Sequence, residues 1–400
     1  VAIVTGGHFL SHFYVMTFPP LFPLLVPAFD LNNTQLGLIM SAVALGTFLQ
    51  VPAGALVRRV GAKRVLALGL GLTGFAIVLV GLAPSYPVLV LFALLSGVGQ
   101  SAFHPADYAL LDAANAGRDA GKSFGVHTFG GFVGFAAAPV IVGTIGFTAG
   151  WRTAAILVGV IGVVAAVVIW LVLDTVFLNR MDALDLGHRP TSFREAARGL
   201  FSPGIAILFA FFLALVMAGK GLQTFAGVIV VEFFALPGGT GNTVLTVLFA
   251  LVAVGVLIGG VLADRFNPRR IIVLTMLTAA LAVSIAALAS FVRGQVAVIG
   301  FFAFLGLVYG IPLPSRDRLV ADFSSADSVG VNFGIVFTGG SIGSLLSPAI
   351  LGAVLDAGSA QLAFVLIGLF FAVAGAIVVA VGSGLIAKDV GPTQTPADQS

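Results

Sequence analysis

Long apolar runs separated by short polar breaks divide the chain into twelve segments, at about 3–27, 34–57, 64–83, 87–111, 122–146, 151–173, 202–231, 242–263, 270–290, 295–315, 330–354 and 361–384. Each approaches or exceeds the ~20 residues that a helix needs to cross ~30 Å of hydrocarbon. Helices follow because lipid leaves no partner for free backbone N–H and C=O groups. A closed barrel would instead show alternating segments of ~10 residues, and the chain has no such pattern. The expected fold class is an all-α polytopic membrane protein with twelve transmembrane helices.

The fifth and eleventh segments repeat one another. Gly121, Phe124, Gly125, Gly130, Gly131, Gly134, Pro139 and Gly143 recur in register as Gly330, Phe333, Gly334, Gly339, Gly340, Gly343, Pro348 and Gly352. A duplication of half the chain predicts two pseudo-symmetric six-helix bundles facing one another, the architecture of secondary transporters. The expected organisation is an N-terminal bundle over 1–173, a cytoplasmic linker over 174–200, a C-terminal bundle over 201–387 and a disordered cytoplasmic tail over 388–400. Within the linker, Ser192 can cap a short surface helix over 194–200. The tail has no apolar periodicity.

Composition supports the membrane reading: 59% of the 400 residues are apolar and only 9% are charged, with a mean hydropathy of +1.14. Soluble domains carry about 25% charged residues, so that class is excluded. With no cysteine, disulfide frameworks and thiol chemistry are excluded as well. No charged leader with a small-residue cleavage site precedes the first segment, and a signal peptide is not expected. With the N-terminus inside, sixteen Lys and Arg fall on the inner side and only Arg152 and Arg293 on the outer. That bias places both termini in the cytoplasm, and the expected location is the cytoplasmic (inner) membrane of a prokaryote.

Two loops carry a common motif. Gly54-Ala-Leu-Val-Arg-Arg-Val-Gly-Ala-Lys-Arg64 follows the second segment, and Gly260-Val-Leu-Ala-Asp-Arg-Phe-Asn-Pro-Arg-Arg270 follows the eighth. The glycine permits close helix approach, the acid suits a neighbouring helix N-terminus, and the basic cluster holds the inner face. Both loops resemble the G-x-L-a-D-R-x-G-R-K/R-R loop of the major facilitator superfamily. In the first loop Arg58 replaces the acid, so a latch of the family's kind would depend on Asp264 with Arg265; Arg58, Asp264, Arg265 and Arg316 are the gating candidates. A narrower resemblance, to the fosmidomycin-resistance type of exporter, rests on Ser11-His12, on Phe103-His104-Pro105 and on the glycine-rich fifth segment. The chain departs from that type at Met16 and Ala106, where carboxylates are expected, and the arginine many proton-coupled antiporters carry in the fourth segment would fall near Ala93.

Ionisable residues inside a span cost at least ~2.5 kcal/mol and tend to face a cavity or a partner. Lys220, mid-way along the seventh segment, is a candidate for binding an anionic substrate or exchanging protons; snorkelling, or pairing with a fixed acid between the halves, is the other reading. His12 is expected to line the cavity opposite it, with Gln50, Gln223 and Asn332 adding neutral hydrogen bonds. His8 and His12 have metal-ligand spacing, yet no acid or third ligand stands near them in sequence, so no metal is expected. His104, Asp107 and His127 are the proton-coupling candidates, since a histidine beside a carboxylate titrates near neutral pH; each can equally be a packed, hydrogen-bonded group. Arg316 is the repeat counterpart of Asp107, and an ion pair between the halves is an expectation. Pro19, Pro20, Pro23 and Pro27 preclude a regular first helix.

No phosphate-binding loop is present, so an ion gradient is the expected energy source. The resemblance implies proton-coupled export of a drug or metabolite. Lys220 and Met16 favour instead proton-coupled uptake of a small organic anion. A non-transporting receptor or lipid-handling protein on the same scaffold is a further alternative. An enzyme is not expected, for want of a nucleophile–base constellation. Expected partners are a small-molecule substrate, protons and membrane lipids, with no cofactor and no nucleic acid, for a monomer.

Overall fold

A computed structural model describes residues 1–115, 120–173, 203–289, 294–323 and 329–382. The linker and tail expectations, over 174–200 and 388–400, lie outside these residues. Among the described residues there are twelve helical spans long and apolar enough to cross a membrane. Spans 1 to 6 are Ala2–Phe29, Asn33–Val60, Ala62–Leu82, Tyr86–Leu111, Gly125–Ala149 and Trp151–Val172. Spans 7 to 12 are Pro203–Glu232, Gly238–Arg265, Pro268–Leu288, Gln295–Val320, Gly334–Asp356 and Ala360–Ala380.

Prolines decide where the spans break. A helical proline removes its own N–H and clashes with the carbonyl four residues earlier. Span 2 is interrupted between Asn33–Thr47 and Gln50–Val60, at the residue four before Pro52. Span 4 breaks between Tyr86–Gln100 and Phe103–Asn115, four before Pro105. Span 10 breaks at Ile311, between Gln295–Gly310 and Pro312–Asp322, just ahead of Pro312 and three before Pro314. In span 1 the proline cluster separates Ala2–Val15 from Phe22–Phe29 by a short 3-10 turn at Pro19–Leu21. Pro139 and Pro348 sit inside unbroken helices.

The two halves use the same helix pairing. Span 1 packs on span 5, span 2 on span 4 and span 3 on span 6; spans 7 and 11, 8 and 10, and 9 and 12 repeat the scheme. Between the halves, span 2 packs on span 11 and span 5 on span 8. The repeated glycines make these cross-contacts possible. A Cβ on Gly143 would overlap the Asn242 side chain, one on its counterpart Gly352 would overlap the carbonyl of Asn33, and one on Gly37 would overlap the carbonyl of Pro348. Ser41 Oγ adds a 2.7 Å hydrogen bond to the Leu345 carbonyl across the same seam.

All these contacts lie towards one face, here termed the far face, opposite the one where span 1 begins at Ala2. There Asp356 accepts hydrogen bonds from Asn33 N at 2.8 Å, Thr34 N at 2.7 Å and Thr34 Oγ1 at 2.5 Å. A carboxylate from one half thus caps the first turn of a helix in the other, the favoured sign for a helix N-terminus. Asn33 Nδ2 also donates to Glu232 Oε1 at 3.2 Å. The far face is closed by a backbone seam with a carboxylate latch at its rim.

The latch is solvent-exposed, and its loss is expected to shift the closed-to-open balance by roughly 1 kcal/mol, or about fivefold. Because the chain lacks cysteine, Ser41→Cys provides a single reporter within the seam. Its modification by a maleimide is expected to speed up about fivefold with Asp356→Ala, and further with Gly37→Leu. An unchanged rate in both variants would show that neither contact closes this face.

Candidate functional site

With the far face sealed, a cavity of about 730 Å³ remains between the halves, within the ~300–1,000 Å³ of small-molecule sites. It extends from the middle of the spans to the near face, where Asp264 and Arg318 line it. Its lining comes from spans 2, 5, 7, 8, 10 and 11. Aromatic rings dominate the wall. Phe135 and Phe249 meet across the two halves with centroids 5.1 Å apart, and Phe212 and Phe337 pair at 5.2 Å.

Lys220 lies in this wall, where Nζ donates to Gln223 Oε1 at 2.7 Å. The neighbouring Gly219 leaves room for the hydroxyl of Tyr309, which also lines the cavity. The other cations of the lining have acids beside them. Arg316 Nε donates to Asp317 Oδ1 at 2.8 Å, and its guanidinium lies over Phe212 at 4.9 Å and Phe337 at 5.8 Å. Arg318 is 3.7 Å from Asp264 and donates to the Ala263 carbonyl at 2.7 Å. Lys220 has no carboxylate partner among the described residues, so its charge is the one left uncompensated in the lining.

A second polar assembly lies inside the N-terminal half. His8 and His12 are one turn apart on Ala2–Val15, and so share a face. The break ahead of Pro105 turns His104 and Asp107 towards them, and Gln100 Nε2 ties the two segments by donating to the Ser11 carbonyl at 3.0 Å. His127 approaches from span 5. Asp107 is fully buried, and its Oδ2 accepts from His8 Nδ1 at 3.1 Å, with His127 Nε2 3.7 Å away. His8 stacks on His127 at 3.8 Å between centroids, and lies 4.4 Å from His12 and 5.6 Å from His104. One donor atom each from His8, Asp107 and His127 fall within 4.8 Å of one another, a set able to hold a metal ion.

Of the residues singled out by sequence, Lys220, Gln223, Gln50, Arg316 and Asp264 line the cavity. His12 does not; it packs behind the wall on Phe135 and Phe132, at 4.3 and 6.0 Å, because span 1 sits behind span 5 on this side. Asn332 is buried away from the lining. His104, Asp107 and His127 do come together, with His8 as their hub. The expectation that no acid or third ligand stands near His8 and His12 is overturned, since the missing donors arrive from spans 4 and 5. The ion pair between Asp107 and Arg316 is not formed, because Asp107 points inward to span 1 while Arg316 lies on the aromatic wall beside Asp317. Arg58 and Arg265 are exposed at the near ends of spans 2 and 8, and Asp264 pairs within its own half.

Sequence reasoning missed Tyr309 and the wall phenylalanines. With 35 Phe in the chain, nothing in their spacing separates cavity from lipid. For His8, the i, i+4 spacing with His12 was the available signal.

Comparison with known proteins agrees with this architecture. The family model of the Major Facilitator Superfamily matches residues 4–311 and 214–397. The chain is 25% identical over 368 residues to the MFS-type transporter YfnC of Bacillus subtilis, covering 89% of this chain and 87% of that one. It is 22% identical over 359 residues to Multidrug resistance protein 2 of the same organism, covering 88% of each. To the Fosmidomycin resistance protein of Escherichia coli it is 25% identical over 372 residues, covering 90% and 87%. Among solved structures, a bacterial homolog of the human lysosomal transporter Spinster, in an inward-facing and occupied conformation, superposes with a TM-score of 0.79 at 16% identity, over 98% of both chains. A point mutant of the nucleoside transporter NupG gives 0.78 at 14%, over 94% of this chain and 99% of that one. Duplicated six-span halves, an interposed cavity, the two loop motifs and a family match along nearly the whole length lead to one conclusion: the chain is a member of the major facilitator superfamily.

Proposed function

We propose that this transporter exports a small organic anion from the cytoplasm by alternating access, driven by the membrane-potential component of the proton-motive force. The observation that carries the reading is Lys220, an uncompensated cation in an aromatic-walled cavity that is closed on the far face. At ~4 Å and an effective dielectric near 20, such a cation attracts one negative charge by about 4 kcal/mol before desolvation is counted. The phenylalanine wall and Tyr309 favour an apolar or flat body attached to that charge. Gln50 and Gln223 offer neutral donors and acceptors to the rest of the molecule.

The basic-residue bias of the loops supports a cytoplasmic near face, so the cavity would load from inside. The direction is supported by the resistance functions named for two of the relatives. The energetics are consistent with it. Loaded with a monoanion, the Lys220 site is neutral; empty, it carries a positive charge that an interior-negative potential draws back inward. One negative charge leaves per cycle, gaining ~2.3 kcal/mol for each 100 mV. No ATP is required.

The test is efflux from proteoliposomes across a panel of aromatic and aliphatic carboxylates, with a membrane potential and a pH gradient imposed separately. An interior-negative potential alone is expected to drive release, and Lys220→Gln to lower the flux at least tenfold, with partial retention in Lys220→Arg. Accumulation that requires an inward proton gradient would establish proton-coupled uptake in its place. Absence of flux for every anion, with binding intact, would favour a receptor on this scaffold.

A further inference from the structure

We propose that His8, Asp107 and His127 form a binding site for one divalent transition-metal ion of the zinc class, with His12 and His104 beside it to complete the shell. Four of the five histidines of the chain gather around one carboxylate between spans 1, 4 and 5: His8, Asp107 and His127 bring donor atoms within 4.8 Å of one another, and the rings of His12 and His104 lie 4.4 and 5.6 Å from that of His8. Proton exchange would need one titrating group, and does not account for so many. The polar atoms are also under-used. Asp107 Oδ1, both ring nitrogens of His127, and Nδ1 of His12 and of His104 are shielded from solvent, with no hydrogen-bond partner among the described residues. Each such atom costs ~1–3 kcal/mol if it stays unsatisfied. A cation at their centre would satisfy several at once.

The geometry is near that of a bound ion. Zinc–nitrogen and zinc–oxygen bonds of ~2.0–2.2 Å place tetrahedral ligand atoms roughly 3.3 Å apart. The donor atoms here span 3.1 Å for His8 to Asp107, 3.7 Å for His127 to Asp107, and at most 4.8 Å overall. Closing on an ion requires shifts of the order of 1 Å, within reach of imidazole rotation. Imidazoles with one carboxylate select Zn²⁺, Co²⁺ or Ni²⁺ over Mg²⁺ and Ca²⁺, which prefer all-oxygen shells. The ligands come from three spans of one half, so the ion would join span 1 to spans 4 and 5. The site stands behind the cavity wall, against which His12 packs through Phe135 and Phe132. It does not depend on the identity of the exported substrate.

The test uses the full chain purified with a tag free of histidine and stripped with a chelator. After loading with Zn²⁺ and desalting, elemental analysis is expected to give one ion per chain, and Co²⁺ is expected to develop the visible d–d absorption of a nitrogen- and oxygen-ligated low-symmetry site. Asp107→Asn and His127→Gln should each weaken binding at least tenfold, whereas His188→Ala, at the fifth histidine of the sequence, should leave it unchanged. Should either cluster variant fail to fold, the wild-type chain still decides the matter: Zn²⁺ is expected to raise its melting temperature, and Mg²⁺ and Ca²⁺ are not. Failure to retain any ion, or retention undiminished in folded Asp107→Asn and His127→Gln, overturns the proposal. Both results are independent of flux, so they stand apart from the success or failure of the export reading.

Discussion

The arrangement depends on the close approach of backbones across the far-face seam. Lipid offers little hydrophobic drive for one helix to prefer another, so association relies on packing and on hydrogen bonds between helices. Gly37 against Pro348, Gly352 against Asn33 and Gly143 against Asn242 bring main chain or small side chains into contact where any Cβ would intrude. Because these residues lie on one side of the membrane midplane, the halves meet there and diverge towards the other face. The cavity is a consequence of that one-sided contact. The seam is built from pairs related by the internal duplication, so an alternative tilt of the halves can release it without disturbing the packing inside either.

The same duplication has been used differently in the two halves. Pro105 and Pro314 interrupt spans 4 and 10 at equivalent places, each releasing the segment that follows from the direction of the helix before it. In the N-terminal half the released segment turns Asp107 into a buried group of imidazoles. In the C-terminal half it presents Arg316 to an aromatic wall on the cavity. One half therefore holds its polar groups inside, and the other offers its charge to the space between them. Lys220, also in the C-terminal half, adds to that asymmetry, and His12, although near in the fold, is screened from the cavity by phenylalanine rings.

Much of the fold was legible from residue order alone. Span number and approximate boundaries followed from apolar length, the pairing of halves from the glycine register, and the broken first span from its prolines. The breaks in spans 2 and 4 lie four residues before a single proline and that in span 10 just ahead of Pro312 and Pro314, but a proline in an apolar run does not say whether a helix kinks or continues; Pro139 and Pro348 continue. Among site residues, Lys220 was legible because a lone charge in lipid has few places to go. The histidine cluster was legible in part: His104, Asp107 and His127 were grouped, but His8 and His12, more than 90 residues earlier in sequence, join them only through the packing of span 1 against spans 4 and 5. Tyr309 was hidden for a similar reason: its place beside Lys220 depends on Gly219 in another span.

Alternating access requires two rigid halves that close on one face and part on the other. Distances between spin labels test this most directly, on a chain that has no native cysteine to remove. Labels at Thr148→Cys and Ala357→Cys report the far face, and labels at Arg59→Cys and Arg265→Cys the near face. Two populations with opposed changes are predicted, the far-face distance lengthening as the near-face distance shortens when transported anion is added. A single fixed distance at both faces, or changes of the same sign, would contradict the rocking of two halves about a central site.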